Sequence, residues 1–96
     1  MLESRFQRIL IEDLSELFPG CVVLHNDAST IQGFPDLTIL YKNKWACLEC
    51  KRKEDASRRP NQEYYVSLLD DMSYSAFVYP ENKEEVLNDI QQIFSA

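Results

Sequence analysis

Two apolar segments joined by a short polar turn constrain the fold of this chain most strongly. Residues 35–41 and 45–51 are rich in aliphatic, aromatic and β-branched side chains, and only Lys42, Asn43 and Lys44 separate them. So short a connection joins antiparallel strands, because parallel strands need a crossover of a dozen or more residues. Both segments are too apolar for an exposed edge, so we expect a hairpin at the centre of a sheet.

The rest of the chain supplies helices and strands around that hairpin. Apolar residues recur at three- and four-residue steps near the N-terminus, and Pro19-Gly20 ends the pattern. Pro60 suits the first turn of a later helix, which would connect two parallel strands as a right-handed crossover. The predicted helices cover 3–18, 61–72 and 81–94, and the predicted strands cover 21–25, 35–41, 45–51 and 75–80. The sequence therefore predicts one α/β domain over residues 1–96, of order α-β-β-β-α-β-α, with a four-stranded mixed sheet.

Composition places the chain among folded, soluble proteins. With 45% hydrophobic and 27% charged residues, it is neither disordered nor repetitive. No apolar run approaches the ~18 residues that span a bilayer, and the N-terminus lacks a signal-peptide pattern. Three cysteines, an odd number, provide no disulfide framework. We expect an intracellular, cytoplasmic protein. Its core is small at this length, and a homodimer would enlarge it.

Charge is segregated along the chain. The net charge is −6, yet residues 42–59 hold seven basic and three acidic residues, so the remainder carries −10. A run of charges is often only a solvated surface, but a basic segment in an acidic chain also suits phosphate binding. The candidate DNA-binding residues are Lys42, Lys44, Arg52, Lys53, Arg58 and Arg59.

Three charged side chains converge in the predicted hairpin. Alternation along the strand places Glu49 and Lys51 on one face, and antiparallel pairing brings Asp36 opposite residues 49–51. Two neighbouring carboxylates need a cation, and a hard divalent metal such as Mg²⁺ takes oxygen ligands. A metal with a nearby ammonium suits phosphodiester hydrolysis. The alternative is an exposed cross-strand ion pair with no catalytic role.

The same residues carry a family resemblance. Pro35-Asp36, then twelve residues, then Glu49-Cys50-Lys51 resembles the motif of the PD-(D/E)XK nuclease superfamily. The order of predicted elements resembles that superfamily's common core. Gly33-Phe34 before the first motif and Gln62 in the following helix are similar to the VRR-NUC and Holliday-junction-resolvase branches.

The resemblance implies a metal site and a reaction. It implies that Asp36, Glu49 and the backbone carbonyl of Cys50 bind Mg²⁺, for which Mn²⁺ would substitute, and that Lys51 positions the nucleophilic water. Gln62 would belong to the same catalytic site. The implied activity is a magnesium-dependent endodeoxyribonuclease that cleaves branched DNA, such as Holliday junctions, as a homodimer. A nuclease of this size is typical of a phage or mobile element.

A glutamate on the first helix often completes the metal site in those branches. Glu3 matches best, and Glu12 and Glu16 remain alternatives. Gln62 has the alternative role of a polar residue in the first turn of its helix. The whole chain has the alternative function of a non-catalytic DNA- or protein-binding module, or of an acidic mimic of DNA.

Two other features have simpler interpretations. Cys47-x-x-Cys50 lies on a predicted strand, where this spacing puts the thiols on opposite faces and argues against a zinc site. His25, the single histidine, is a candidate general base, but a structural role at the end of a strand suits it better.

Overall fold

A computed structural model describes all of residues 1–96, and its elements follow the predicted order. Every boundary lies within two residues of its predicted position. The helices are α1 (Glu3–Leu17), α2 (Pro60–Met72) and α3 (Lys83–Ser95), and the strands are β1 (Val22–His25), β2 (Leu37–Tyr41), β3 (Lys44–Cys50) and β4 (Ser75–Val78). No helix is long and apolar enough to cross a membrane.

The four strands form one mixed sheet in the order β1-β2-β3-β4. β1 and β2 are antiparallel, as are β2 and β3, whereas β3 and β4 are parallel and are connected through α2. β3 is therefore a central strand, and its residues 46–50 are all buried. The strands of the hairpin are apolar because β3 is covered by a neighbouring strand on each side and is buried.

The helices cover the two faces of the sheet unequally. α1 and α3 pack on one face, where Leu10 and Ile90 join Leu37, Ile39 and Leu48 in the main core. α2 packs on the opposite face, against β3 and β4. The α2 face of β1 and β2 therefore lacks a covering helix.

Two local features set the ends of the hairpin. β2 begins at Leu37 rather than at Pro35, because proline has no N–H to give to the sheet. At the other end Tyr41 pairs with Lys44, so the turn has two residues, Lys42 and Asn43, and Lys42 adopts a φ of 56°. The register of the hairpin then decides which residues meet at its open end.

Candidate active site

Asp36 lies at the open end of the hairpin, immediately before β2. Because Leu37 pairs with Leu48, Asp36 falls beside Glu49. The Oδ2 atom of Asp36 accepts a hydrogen bond from the backbone N–H of Cys50 at 2.9 Å. The side chain thus replaces the strand partner that Cys50 would otherwise find on β2, and this bond fixes the carboxylate across the last two residues of β3.

Asn26 holds the backbone on both sides of Asp36. Its backbone N–H donates to the carbonyl of Asp36 at 2.8 Å, and its Nδ2 donates to the carbonyl of Pro35 and to Oγ1 of Thr38, each at 2.9 Å. Asn26 is not among the site residues predicted from the sequence. The available signal was an asparagine directly after a strand, where a side-chain amide commonly satisfies loop backbone.

Glu49 is the buried acid of the site, with 4% of its surface exposed. Its Oε2 accepts a hydrogen bond from Nε2 of Gln62 at 3.1 Å and lies 3.9 Å from Nζ of Lys51. Its Oε1 is buried without a hydrogen-bond partner. A buried polar atom without a partner is costly, which marks this oxygen as a candidate ligand atom.

Gln62 connects Glu49, Lys51 and the start of α2. Its Oε1 accepts hydrogen bonds from Nζ of Lys51 and from the backbone N–H of Arg59, each at 3.0 Å. An ammonium only donates and a carboxylate accepts, so the neighbours dictate the orientation of this amide. The bond to Arg59 also caps α2, so Gln62 fills a polar first-turn position of the helix and contacts both charged groups; its catalytic role stays a prediction.

Burial and like charge shift the titration of the carboxyl groups. Desolvation, reinforced by the charge of Asp36, raises the pKa of Glu49 to about 8, although Lys51 opposes the shift. Desolvation also raises the pKa of Asp36, against the hydrogen bond from Cys50 and the charge of Lys51. Glu49 therefore resists ionisation at neutral pH unless a further cation approaches.

The oxygen atoms at this site suit a hard cation that takes only some of its ligands from the protein and the others from water. Nowhere in the structure do three or more His, Cys, Asp or Glu side chains come together closely enough to hold a metal ion. The side-chain ligands available to a cation at this site are the two carboxylates of Asp36 and Glu49, and Oε1 of Glu49 has no hydrogen-bond partner. The backbone N–H of Cys50 points to Asp36. The N–H and the carbonyl of a strand residue point to the same adjacent strand, so the carbonyl of Cys50 also points to the Asp36 side. These three donors fit Mg²⁺, which keeps several waters.

Of the three glutamates considered on α1, Glu3 lies beside the site. Desolvation and the charge of Asp36 raise the pKa of Glu3, while Lys51 and Arg52 lower it. Glu16 lies instead beside Lys83 and Leu87, where α1 meets α3. Glu12 is exposed on α1. Glu3 is close enough to influence the pair electrically but does not form a three-carboxylate cluster with it.

The candidate DNA-binding residues divide between two ends of the sheet. Arg52 and Lys53 line a cleft together with Glu3 and Lys51, and Arg59 lines a second cleft with Asp36 and Glu49. Arg58 stacks 4.1 Å above the ring of Phe77.

Lys42 and Lys44 lie at the hairpin turn instead. Glu49 follows Lys44 by five positions along β3, a distance of roughly 17 Å at the usual rise of a strand. Lys42 and Lys44 therefore lie far from the carboxylates, because the strand between them and the site is extended; their role in DNA binding stays a prediction.

The second cleft is an open depression of about 330 Å³ between the loop before β2 and the N-terminus of α2. Gly33 and Asn61 meet at its wall. Gly33 has a φ of +86°, and a Cβ atom there would lie 2.4 Å from Cβ of Asn61. Only glycine permits this approach, which explains why the loop docks on α2 at this point.

The two cysteines of β3 follow the simpler interpretation. Cys47 faces Thr38, with Sγ and Oγ1 3.4 Å apart, whereas Cys50 joins the core on the other face. All three cysteines are free thiols. His25 is exposed at the end of β1, and the structural role expected for it stays a prediction.

Solved structures with a similar fold include a VRR_NUC domain and a Holliday junction resolvase. A chain described as a VRR_NUC domain superposes with a TM-score of 0.73 at 20% identity, over 90% of this chain and 94% of that chain. Hjc, a Holliday junction resolvase from the archaeal hyperthermophile Archaeoglobus fulgidus, has a TM-score of 0.52 at 14% identity, over 79% and 67% of the two chains. No protein-family model matches the sequence, and no curated protein matches it significantly. The fold that the sequence resemblance implied is confirmed.

Proposed function

We propose that this chain is a magnesium-dependent endonuclease that hydrolyses phosphodiester bonds of DNA. The observation that supports this most is the buried Glu49 beside Asp36, with one carboxylate oxygen unpartnered and the ammonium of Lys51 3.9 Å from the other. Burial of an acid in this way reduces stability, so the position of Glu49 beside an open cleft favours a role in function.

Asp36, Glu49 and the carbonyl of Cys50 would hold the cation. Bound Mg²⁺ would supply Lewis-acid activation of the phosphate and compensate the charge of both carboxylates. Lys51 would orient the attacking water and stabilise negative charge that develops on the phosphoryl group. Gln62 would keep the Lys51 ammonium in place, since its Oε1 accepts from Nζ at 3.0 Å.

We propose DNA, in a branched or otherwise distorted form, as the substrate. The likeness in fold to a VRR_NUC domain and to a Holliday junction resolvase supports this choice. Arg52, Lys53 and Arg59 line the two clefts beside the carboxylates and would neutralise phosphates there. Contacts to phosphates carry no direct sequence information, so we propose that the shape of the DNA supplies the selectivity.

We also propose that two copies associate through the uncovered face of β1 and β2. Val22 pairs with Leu40 and Leu24 pairs with Thr38, so these side chains share one face, and all three aliphatic ones are exposed. A second copy would cover this apolar strip and add to a small core. A dimer would present two sites to one branched substrate.

The experiment that tests the proposed activity compares end-labelled four-way junction, flap, single strand and linear duplex as substrates. Each is incubated with purified protein in Mg²⁺ or in EDTA, and Lys51→Ala is compared with Arg8→Ala, a change at an exposed position of α1. We expect metal-dependent cleavage that Lys51→Ala abolishes and Arg8→Ala preserves. If the folded protein binds DNA but cuts none of these substrates with Mg²⁺ or Mn²⁺, the non-catalytic binding module replaces the nuclease.

A further inference from the structure

The carboxylate of Asp36 depends on a piece of backbone that lies just outside the sheet. β2 begins at Leu37, and the last pair between β1 and β2 joins Leu37 to His25. Pro35, the residue before Asp36, has no N–H to give to a neighbouring strand. Residues 35 and 36 therefore need other partners if the side chain of Asp36 is to stay in one place.

Asn26, the residue after β1, provides those partners. Its backbone N–H donates to the carbonyl of Asp36 at 2.8 Å, and its Nδ2 donates to the carbonyl of Pro35 at 2.9 Å. Nδ2 also donates to Oγ1 of Thr38 at 2.9 Å, which ties the amide to β2 itself. A side-chain amide has two N–H donors, whereas an ionised aspartate has none and a serine has one. An asparagine can therefore make both side-chain bonds at once.

The position of this backbone passes directly to the carboxylate. Oδ2 of Asp36 accepts from the backbone N–H of Cys50 at 2.9 Å, and the register of the hairpin sets Asp36 beside Glu49. The side chain of aspartate is short, so a shift of its backbone carries the carboxylate away from both. Asn26 is half-buried and lines neither of the two clefts beside the carboxylates. Any effect of Asn26 on the site therefore runs through Asp36.

We propose that Asn26 is a positioning residue for Asp36 and that it thereby sets the affinity of the carboxylate pair for a divalent cation. Mg²⁺ demands near-ideal octahedral geometry, so two carboxylates bind it well only when their separation is held fixed. Residues that hold metal ligands in place commonly contribute about 10- to 100-fold to metal affinity. This inference rests on the proposed metal site and adds to it a residue from the loop after β1.

The first measurement follows two neighbouring amide groups in the metal-free protein. The N–H of Cys50 donates to Asp36, whereas the N–H of Lys51 donates to the carbonyl of Val78 on β4. Hydrogen exchange is observed by NMR in EDTA. We expect Asn26→Ala to speed exchange at Cys50 about tenfold and to leave Lys51 like the wild type. A general loosening of the sheet would instead speed both amides alike.

The second measurement counts free Mn²⁺ by electron paramagnetic resonance in titrations of the wild-type protein, Asn26→Ala and Ser73→Ala. Ser73→Ala is the matched control, because Oγ of Ser73 also donates to a backbone carbonyl, that of Trp45 at the opposite end of β3. We expect Asn26→Ala to raise the dissociation constant of Mn²⁺ about tenfold or more, and Ser73→Ala to leave it unchanged. Asn26→Ser keeps one side-chain donor and should give an intermediate value, and it takes the place of Asn26→Ala if that variant does not fold.

The results separate the role of Asn26 from the proposed function. Unchanged exchange at Cys50, equal acceleration at Cys50 and Lys51, or a Mn²⁺ affinity that Asn26→Ala changes no more than Ser73→Ala would overturn the proposal. Selective acceleration at Cys50 in a protein that binds no Mn²⁺ even as the wild type would instead overturn the cation site and the nuclease that depends on it, and would leave Asn26 as the residue that positions Asp36.

Discussion

Gln62 donates a hydrogen bond from Nε2 to Oε2 of Glu49 at 3.1 Å, and with this bond a single neutral side chain separates an acid from its cation. The other end of the same amide accepts from Nζ of Lys51 at 3.0 Å. Nζ consequently stays 3.9 Å from the carboxylate instead of the ~2.8 Å of a direct charge-assisted bond. The ammonium remains available to a phosphate or to water, and the start of α2 is tied to the site.

Replacement of Gln62 by alanine should lower both stability and activity. Glu49 would lose the donor to its buried Oε2, which costs about 1–3 kcal/mol of unfolding free energy. Lys51 would be free to close on Glu49, so we expect the cleavage rate to fall more than DNA affinity does. Urea unfolding and single-turnover cleavage measure the two effects. Gln92→Ala, at an exposed position of α3, is the control; equal stability of the two variants would show that the bridge is unimportant.

Stability should fall as pH rises when no metal is present. The folded protein holds the proton of Glu49 up to about pH 8, whereas the ordinary pKa of a glutamate is 4.5. Between these two pH values the folded state therefore binds more protons than the unfolded state does. The free energy of unfolding then decreases by at most about 1.4 kcal/mol per pH unit for this one group. Melting temperatures from pH 5 to 9 in EDTA should decline.

Two further melting experiments, one on Glu49→Gln and one with added Mg²⁺, test the same explanation. Glu49→Gln removes the titrating group, so the melting temperature should depend less on pH. Mg²⁺ should restore stability at high pH, since the ionised carboxylates bind it and metal binding releases protons. A melting temperature in EDTA that rises between pH 5 and 8 would contradict the shifted pKa of Glu49.

Gly33→Ala should separate the loop before β2 from α2. The added Cβ atom would lie 2.4 Å from Cβ of Asn61 and 2.8 Å from its backbone carbonyl carbon. Gly20→Ala is a matched control, because Gly20 has a φ of +87° and a Cβ atom added there would have no neighbouring atom within 4 Å. Backbone strain alone should cost Gly20→Ala about 1–2 kcal/mol. Gly33→Ala should lose more stability in urea and also lose cleavage activity, and equal behaviour of the two variants would count against a tight contact.

Leu24→Glu should prevent dimerisation while leaving the fold intact. Leu24 is exposed on the uncovered face of β1 and β2, where a charge has no effect on the core of one chain. At an interface the same charge would be buried without a partner, so we expect a monomer by sedimentation velocity. Leu17→Glu, at an exposed position of α1 on the opposite side of the sheet, should keep the association state of the wild type. A wild-type protein that sediments as a monomer would rule out the dimer.

The sequence was sufficient to predict the elements and the proximity of Asp36 to Glu49. The strands and helices follow from local periodicity, and a tight turn leaves one register in which apolar side chains of the hairpin face the core. The same register places Lys42 and Lys44 far from the carboxylates. Their nearness in sequence to the other basic residues was misleading, because an extended strand separates the two groups.

Contacts between distant segments were beyond what local patterns can show. Which glutamate of α1 lies beside Asp36 depends on how that helix packs on the sheet, and periodicity leaves Glu3, Glu12 and Glu16 open. The bonds from Asn26 to Pro35 and Thr38, and the approach of Gly33 to Asn61, require loops whose paths depend on tertiary packing.

The most direct measurement of the central claim is single-turnover cleavage of the preferred DNA substrate by wild-type protein, Asp36→Asn and Asp71→Asn, in Mg²⁺ and in EDTA. Asp71 is exposed on α2 and serves as a control of equal charge change. A site built on Asp36 and Glu49 predicts that Asp36→Asn lowers the rate on the order of 10²-fold or more, that Asp71→Asn cuts like the wild type, and that EDTA stops all three. Cleavage by Asp36→Asn at the wild-type rate, or undiminished cleavage in EDTA, would contradict a metal-dependent reaction at this carboxylate pair.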